Sequence, residues 1–569
     1  MRNLRWQLLI ALGGLILIFG YLQWQSPTQE TSDPEPVSGG VYREALIGIV
    51  NRLNPILDLN NQVDRDIDEL IYRSLIKFDA RGIAYPDLAE SWAVSADATL
   101  YTFSLRENVL WHDGKPLKSD DVLYTFSKFK DDDYPGPDDL KNLWSEINII
   151  RLDDITIQFQ LPEPFAPFID FLSVGLLPEH LLRGVSAGEL IDHPFNVQPI
   201  GTGPFSFSRF LIEENNIIGV RLDAFEDFYA GTPYLDQIEF LFFPTEDEAL
   251  QAYLNNEIMG ISQVSVDLLE QVLEIPNLNL HSTRVPEINI IFFNLKHPQK
   301  TFFEEKTFRR ALLQSLNRQW LIDSLFKGQA VISTGPIFSS TWAYLDTLKP
   351  WEFNLQEANK LLNDLGWELP EGVNPGDPDY IRKLDDELLS FELVHSSDPL
   401  QTALAKAIRD SWKQVGVLVE LVSTPVEDIL PTYLEPREFE AVLTVMDLSH
   451  YTDPDPYPFW HDSQDETGQN YSGFKDRNIG IWLEKARTTS DLATRAELYK
   501  SFQFRFNDQL PALLLFSPIY NYAIDAQVQA VSVGPLYEPS DRFANTQEWF
   551  LLVRSPAEIS APDTPSSES

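Results

Sequence analysis

The chain contains no cysteine. Without thiols there is no disulfide, no thiolate nucleophile, no zinc–thiolate site and no cysteine to carry a lipid. Positive charge is also scarce: 43 lysines and arginines stand against 86 aspartates and glutamates, a formal net charge of −43. A surface that acidic repels phosphate backbones and anionic lipid, which argues against nucleic acid as a partner. The eight histidines fall nowhere at H-E-x-x-H spacing, and there is no phosphate-binding glycine loop. No cofactor is implied, and no internal repeat is evident.

Long apolar runs are confined to the N-terminus. After Arg2 and Arg5, Leu8–Leu22 is apolar; about 15 residues make roughly 22 Å of helix, short of a hydrocarbon core of roughly 30 Å. Counted from Trp6 to Trp24 it is about 19 residues and roughly 28 Å, with tryptophans as interfacial anchors. No small-x-small cleavage site follows, which favours an uncleaved anchor (residues 1–25) over a removed signal. The arginines keep the N-terminus inside and put the acidic body outside the cytoplasm. Residues 26–39 read as a flexible linker and 556–569 as a disordered tail.

What is present is the material of a folded body. Hydrophobic residues make up 43% of the 569 and aromatics 12%, enough for several cores. "LYTFSLR" alternates Tyr101, Phe103 and Leu105 against Thr102, Ser104 and Arg106, and "ITIQFQL" does the same from Ile155; both predict half-buried strands. "LQEANKLLNDLGW" puts Ala358, Leu361, Leu362 and Leu365 on one helical stripe, with Gly366 as the stop. From Leu389 to Val422 the pattern is strand, helix, strand. The helix stripe is Leu404, Ala407, Ile408, Ser411 and Trp412, and the crossover makes the strands parallel. The class is mixed α/β, β-rich early, with a later βαβ portion.

Several segments carry candidate chemistry. "GVSAG" (Gly184–Gly188) matches the nucleophile-elbow spacing around Ser186, but the preceding "LLPEHLLR" reads as helix where an elbow needs a strand. "DLSHYTDPDPYPFW" (Asp447–Trp460) crowds acids, aromatics and His450 between prolines, with His461 close by. Such side chains can hold a metal, yet acids beside prolines are ordinary turn chemistry, and no metal is assigned. Asn470-Tyr471-Ser472 is a glycosylation sequon by pattern. "HDGKPLKSDDVLYTF" (His112–Phe126) reads as a turn and a helix start capped by Ser119, and "PIGTGPF" (Pro199–Phe205) as a rigid scaffold segment.

Taken in order, these pieces resemble a known family. "RLNPILD" (Arg52–Asp58), "DLAESWAVSADATLYTFSLRENVLWHDGKPLKSDDVLYTF" (Asp87–Phe126), "PIGTGPF", "NIIFFNLKHPQKTFFEEKTFRRALLQSLNRQWLI" (Asn289–Ile322), "NLQEANKLLNDLGW" and "TDPDPYPFW" occur as in the large solute-binding proteins of ABC importers, the family with dipeptide-, oligopeptide- and nickel-complex-binding members. The resemblance covers about residues 40–550. It implies a two-lobe, type II periplasmic-binding-protein-like fold. Lobe I would take residues 40–285 with an extra subdomain at about 60–195, plus the return at 520–555. Lobe II would take 286–519, and "LPALLLFSPIYNYAI" (Leu510–Ile524) would be the second crossover.

The family also implies a mechanism: the lobes close on a peptide or other small solute, and the closed face docks on an ABC permease. The receptor is expected to be a monomer and not an enzyme. In peptide-binding relatives an aspartate three residues before the Asp/Glu-Pro pair grips the ligand's α-amino group. Counting back from Asp453-Pro454 gives His450, a departure for which Asp447 stands near enough to compensate. The cleft residues expected on this resemblance are His450, Asp447, Tyr451, Asp453 and Trp460, with Trp111, Tyr72 and Arg309 from elsewhere. For Arg309 and Arg310 a structural role stands beside contact with a ligand carboxylate. The alternatives are an extracellular hydrolase using Ser186 or an acid–histidine pair, and a ligand sensor without transport.

Overall fold

The alternating segments form strands whose faces follow their pattern. Leu100–Leu105 buries Tyr101, Phe103 and Leu105 and leaves the intervening residues half-exposed; Thr156–Gln160 buries Ile157 and Phe159. With Ala89–Val94 and Asn148–Arg151 they make a four-stranded antiparallel sheet. The structure, a computed structural model, describes residues 36–58, 61–449 and 452–552. The N-terminal apolar run, most of the linker and the tail lie outside the described residues. Among the described residues no helix is long and apolar enough to cross a membrane.

A second sheet has twelve strands, the first Val41–Ile47 and the last Ala512–Asp525. Its C-terminal half is ordered Leu418–Thr424, Ser390–Ser396, Ala441–Asp447, Glu287–Phe293. There the predicted strand–helix–strand appears, with Pro399–Lys413 as the helix and the two strands parallel. That helix buries Leu404, Ala405, Ile408 and Trp412; Leu355–Asp364 buries Ala358, Leu361 and Leu362. The other half is ordered Gly260–Ile261, Val41–Ile47, Gln237–Phe243, Asn216–Ala224, Phe205–Glu213.

One strand, Ala512–Asp525, joins the halves. Its first residues pair with Glu287–Phe293, its middle with Ala330–Ile332, and its last with Leu278–Arg284 and Gly260–Ile261. Residues 512–516 and 521–525 are buried, whereas Ser517, Pro518, Ile519 and Tyr520 are half-exposed. The apolar packing divides at the same place. One core draws every residue from between Ile288 and Phe516. The others draw on residues from Tyr42 to Leu278 and from Tyr522 to Trp549. The two lobes therefore each own a core and share a strand.

Two of the scaffold segments meet inside lobe I. His112 Nδ1 accepts from Gly201 N at 3.1 Å, so its proton sits on Nε2, which donates to Gly203 O at 3.0 Å. Burial pushes this imidazole down to about 4, keeping it neutral and the tautomer fixed. A Cβ on Gly203 would lie 2.2 Å from Leu70 O, so only glycine lets this segment lie against the end of helix Gln62–Ile71. One detail differs from expectation. Ser119 is the first helical residue of Ser119–Ser127, not its cap: its hydroxyl donates to Asp153 O. Asp121 instead reaches back to Lys118 N at 2.9 Å, because the chain turns one residue earlier.

Candidate functional site

The lobes face each other through a small set of polar and aromatic contacts. From lobe I come the turn Asp79–Ile83, the 3-10 helix Ala166–Leu172 and Tyr537. From lobe II come residues 338–344, the loop from Thr452 to Tyr457, and two helices, Arg477–Arg487 and Leu492–Gln509. Thr452 N donates to Asp170 Oδ2 at 3.1 Å, and Trp342 N donates to Arg81 O at 2.9 Å. Phe338 meets the Tyr537 ring edge-on at 5.7 Å. Arg487 lies 5.3 Å from Phe165 across the gap and 3.9 Å from Tyr457 on its own side.

The acids of the proline-rich loop are held within lobe II. Asp453 takes a two-pronged bond from Arg495, both arms 2.7 Å, and the pair is buried. Arg495 also donates to Tyr499 Oη at 2.9 Å and stacks on Trp342. Asp455 accepts from Arg487 Nε at 2.6 Å. Two acids thus fasten the loop to two helices, and the fork geometry of arginine makes each tie directional.

Asp170 is the contrast. Its Oδ1 is buried without a partner, and its carboxyl is pushed up to about 8, first by burial and then by Asp453. Behind it, Tyr537 Oη is likewise buried without a partner, and burial raises its pKa further. Gly82 lies here with φ +75°, and a Cβ on it would sit 2.6 Å from Tyr537 Oη and 3.0 Å from Thr452 O. The lobes approach too closely at this point for any side chain.

Where the shared strand crosses, two adjoining cavities open between Leu278–Arg284, residues 328–344 and Ser517–Ile519. The larger is about 510 Å³ and the smaller about 90 Å³, and Arg284 lines both. Its guanidinium donates to Ser339 Oγ at 3.0 Å.

The residues expected in the cleft separate into four groups. His450 and Tyr451 lie outside the described residues. Asp447 ends strand Ala441–Asp447, exposed, opposite Glu287, and its Oδ1 accepts from Ser449 N at 2.8 Å. Burial, then Asp447, pushes Glu287 up to about 7. Asp453 is at the interlobe face but is occupied by Arg495. The remaining four are corrected to core roles, because their surfaces are spent inside the protein. Trp111 is fully buried, its indole N–H to Asp121; Tyr72 gives its hydroxyl to Leu53 O. Trp460 packs on Phe292 and Phe506, and Arg309 donates to the carbonyls of Phe303, Gln509 and Leu510. Arg310 lies over Trp351 at 5.0 Å.

The other candidates resolve into framework. Ser186 caps helix Ala187–Leu190 and donates to Asp133 at 2.7 Å, with helix Glu179–Leu182, not a strand, before it. His461 stacks on Tyr457 at 4.1 Å and bonds Ser463 Oγ at 2.8 Å. Among the described residues no group of three or more His, Asp or Glu is set to hold a metal. Asn470 of the sequon is fully buried and donates to His461 O and Phe474 O. The residues that matter most at the interface, Asp170, Gly82, Tyr537, Arg284 and Arg495, were not singled out by the sequence. Asp170 alone carried a signal, as the single acid in the apolar run "PFAPFIDFL".

Comparison with known proteins identifies the family. A model of the "Bacterial extracellular solute-binding proteins, family 5 Middle" matches residues 84–469. The oligopeptide-binding protein AppA of Bacillus subtilis (strain 168) is 25% identical over 526 residues, covering 91% of this chain and 92% of the relative. The dipeptide-binding protein of Escherichia coli (strain K12) is 26% identical over 500 residues, covering 82% and 87%. In fold, the solved structure of HbpA2 from Haemophilus parasuis matches with a TM-score of 0.76 at 22% identity, covering 90% of this chain and all of that one. This chain, with its two lobes, shared strand and close polar interface, belongs to the family 5 bacterial extracellular solute-binding proteins.

Proposed function

We propose that the chain captures a peptide or peptide-like solute between its lobes and delivers it to an ABC permease, without catalysis. The observation that carries this reading is the burial along Ala512–Asp525: buried, half-exposed at 517–520, buried again. Two rigid cores connected through a few half-solvated residues bend at the connection, and Val285–Pro286 on the neighbouring crossover gives a second thin point. Lobe I is then 40–285 with 520–555, lobe II is 286–519, and the interface around Asp170 and Thr452 opens and closes. A solute that touches both lobes only when they are closed drives closure by its differential contacts. A micromolar ligand supplies about 8 kcal/mol in total, enough to offset a closure cost of a few.

The relatives' names, oligopeptide-binding and dipeptide-binding, support a peptide as the class of solute. Around the core of this proposal, the Trp6–Trp24 run tethers the receptor to the membrane, and the receptor acts as a monomer. His450, Asp447 and Tyr451 are proposed at the mouth of the cleft, with Asp447 carrying the negative charge that His450 lacks when neutral.

The test uses the 13 tryptophans. Peptides of two to nine residues are titrated while emission is followed, and the peptide is then recovered and analysed. A saturable change with intact peptide is expected. Cleaved peptide would establish the hydrolase reading instead, and no response to any length would end the peptide assignment.

A further inference from the structure

We propose that the paired cavities at the crossing of the lobes form a carboxylate subsite, with Arg284 as its anchor. This rests on the reading of the chain as a solute receptor and adds the chemistry of one end of the solute.

Charge is the first ground. The protein carries twice as many acids as bases, yet among the described residues no aspartate, glutamate, lysine or histidine lines either cavity. Among them Arg284 is the one charged side chain on the walls of both. It is exposed, and its hydrogen bond to Ser339 Oγ at 3.0 Å leaves most of the guanidinium fork open. Among the described residues no carboxylate forms an ion pair with it. In a molecule this acidic, such an opening is where an anion meets least repulsion.

A second cation stands behind the wall. Arg318 is buried, and its guanidinium donates to three carbonyls, Ser333 O at 3.3 Å, Leu514 O at 3.0 Å and Trp351 O at 2.6 Å. It too has no carboxylate partner among the described residues. Ser333 lines the smaller cavity, so a buried, uncompensated positive charge lies directly behind that surface. Hydroxyls complete the wall: Ser333 faces Ser517 at 3.1 Å, and Thr334 faces Tyr344 at 3.0 Å. Each such pair has a proton free to turn toward an acceptor.

Position is the third ground. Arg284 is the last residue of strand Leu278–Arg284, immediately before the chain enters lobe II, and Ser339 lies in lobe II. An anion seated between Arg284 and the Ser333–Thr334 wall touches both lobes at the point about which they turn. Carboxylate matches the guanidinium fork two-pronged, and a linear peptide presents one at its C-terminus.

The test compares trialanine with trialanine amide by calorimetry, on the whole protein and on Arg284→Gln and Arg284→Lys. Glutarate is added as a non-peptide carboxylate in a thermal-shift arm, with glutaramide at matched salt as control. Expected is a preference of about tenfold or more for the acid over the amide. It should fall below about twofold in Arg284→Gln and be partly kept in Arg284→Lys, with unchanged circular dichroism in all three proteins. Equal binding of acid and amide, or a preference that survives in Arg284→Gln, overturns the subsite even while the peptide reading stands. If neither tripeptide binds, the glutarate arm decides. A melting shift absent with glutaramide and lost in Arg284→Gln establishes the subsite for a non-peptide carboxylate; no such shift overturns it.

Discussion

Ligand retention is expected to weaken between about pH 5 and pH 7, through Asp170. In the structure this carboxyl is pushed up to about 8, whereas an aspartate in water titrates near ~3.9. Parting the lobes returns Asp170 to water, so closure takes up a proton anywhere between these values. The sign follows: the contribution favours the closed form fully below about 4 and is lost as the pH climbs through about 8. Inside that window each pH unit is worth up to ~1.4 kcal/mol, so two units reach ~2.7 kcal/mol, about a hundredfold in Kd. Among the described residues, the groups facing Asp170 are the Asp453 carboxylate with its Arg495 partner, the Tyr537 ring and the Thr452 N–H. Asp170→Asn keeps the shape and the acceptor for Thr452 N but has no proton to gain. Calorimetry of a bound peptide near pH 6, in two buffers of different ionisation enthalpy, reads proton uptake directly. Wild type should approach one proton taken up, and the variant should take up none and show a flat Kd. No uptake in wild type, or the same slope in the variant, refutes the reasoning.

Three further perturbations have definite outcomes. Gly82→Ala places a methyl against Tyr537 and the lobe II backbone, adding to ~1–2 kcal/mol for the left-handed conformation; peptide affinity should fall tenfold or more, by fluorescence titration. Arg495→Met strands the buried Asp453 carboxylate and should lower stability by ~3–5 kcal/mol in urea unfolding. Trp412→Ala, which removes a fully buried ring packed on Phe391 and Phe293, should cost about 3–5 kcal/mol by the same assay without changing peptide specificity.

The framework was legible because its signals are local. The alternation at Tyr101–Leu105 and the stripe through Leu404, Ile408 and Trp412 are statements about which face is buried, and periodicity encodes faces. The interface was not legible because it is assembled from distant segments. Asp170 and Thr452 are 282 positions apart, and nothing near either residue announces the other. The aromatics expected at the cleft failed for a related reason. Trp111 and Trp460 are large and apolar with one polar atom, a description that fits a binding wall and a core equally, and the core claimed them. Asp453, expected to meet the solute, instead has both its oxygens taken by Arg495, 42 residues away, a partner that nothing near Asp453 announces.

The strand Ala512–Asp525 also bears on how the molecule comes apart. Because a single ladder contributes its first half to one core and its second to the other, neither core is complete if that ladder frays. Fragments cut at the crossing would each lose a structural element, and neither should survive as an independently folded piece. Heating should accordingly produce one calorimetric transition instead of two, and a protease should find little purchase until both cores yield together.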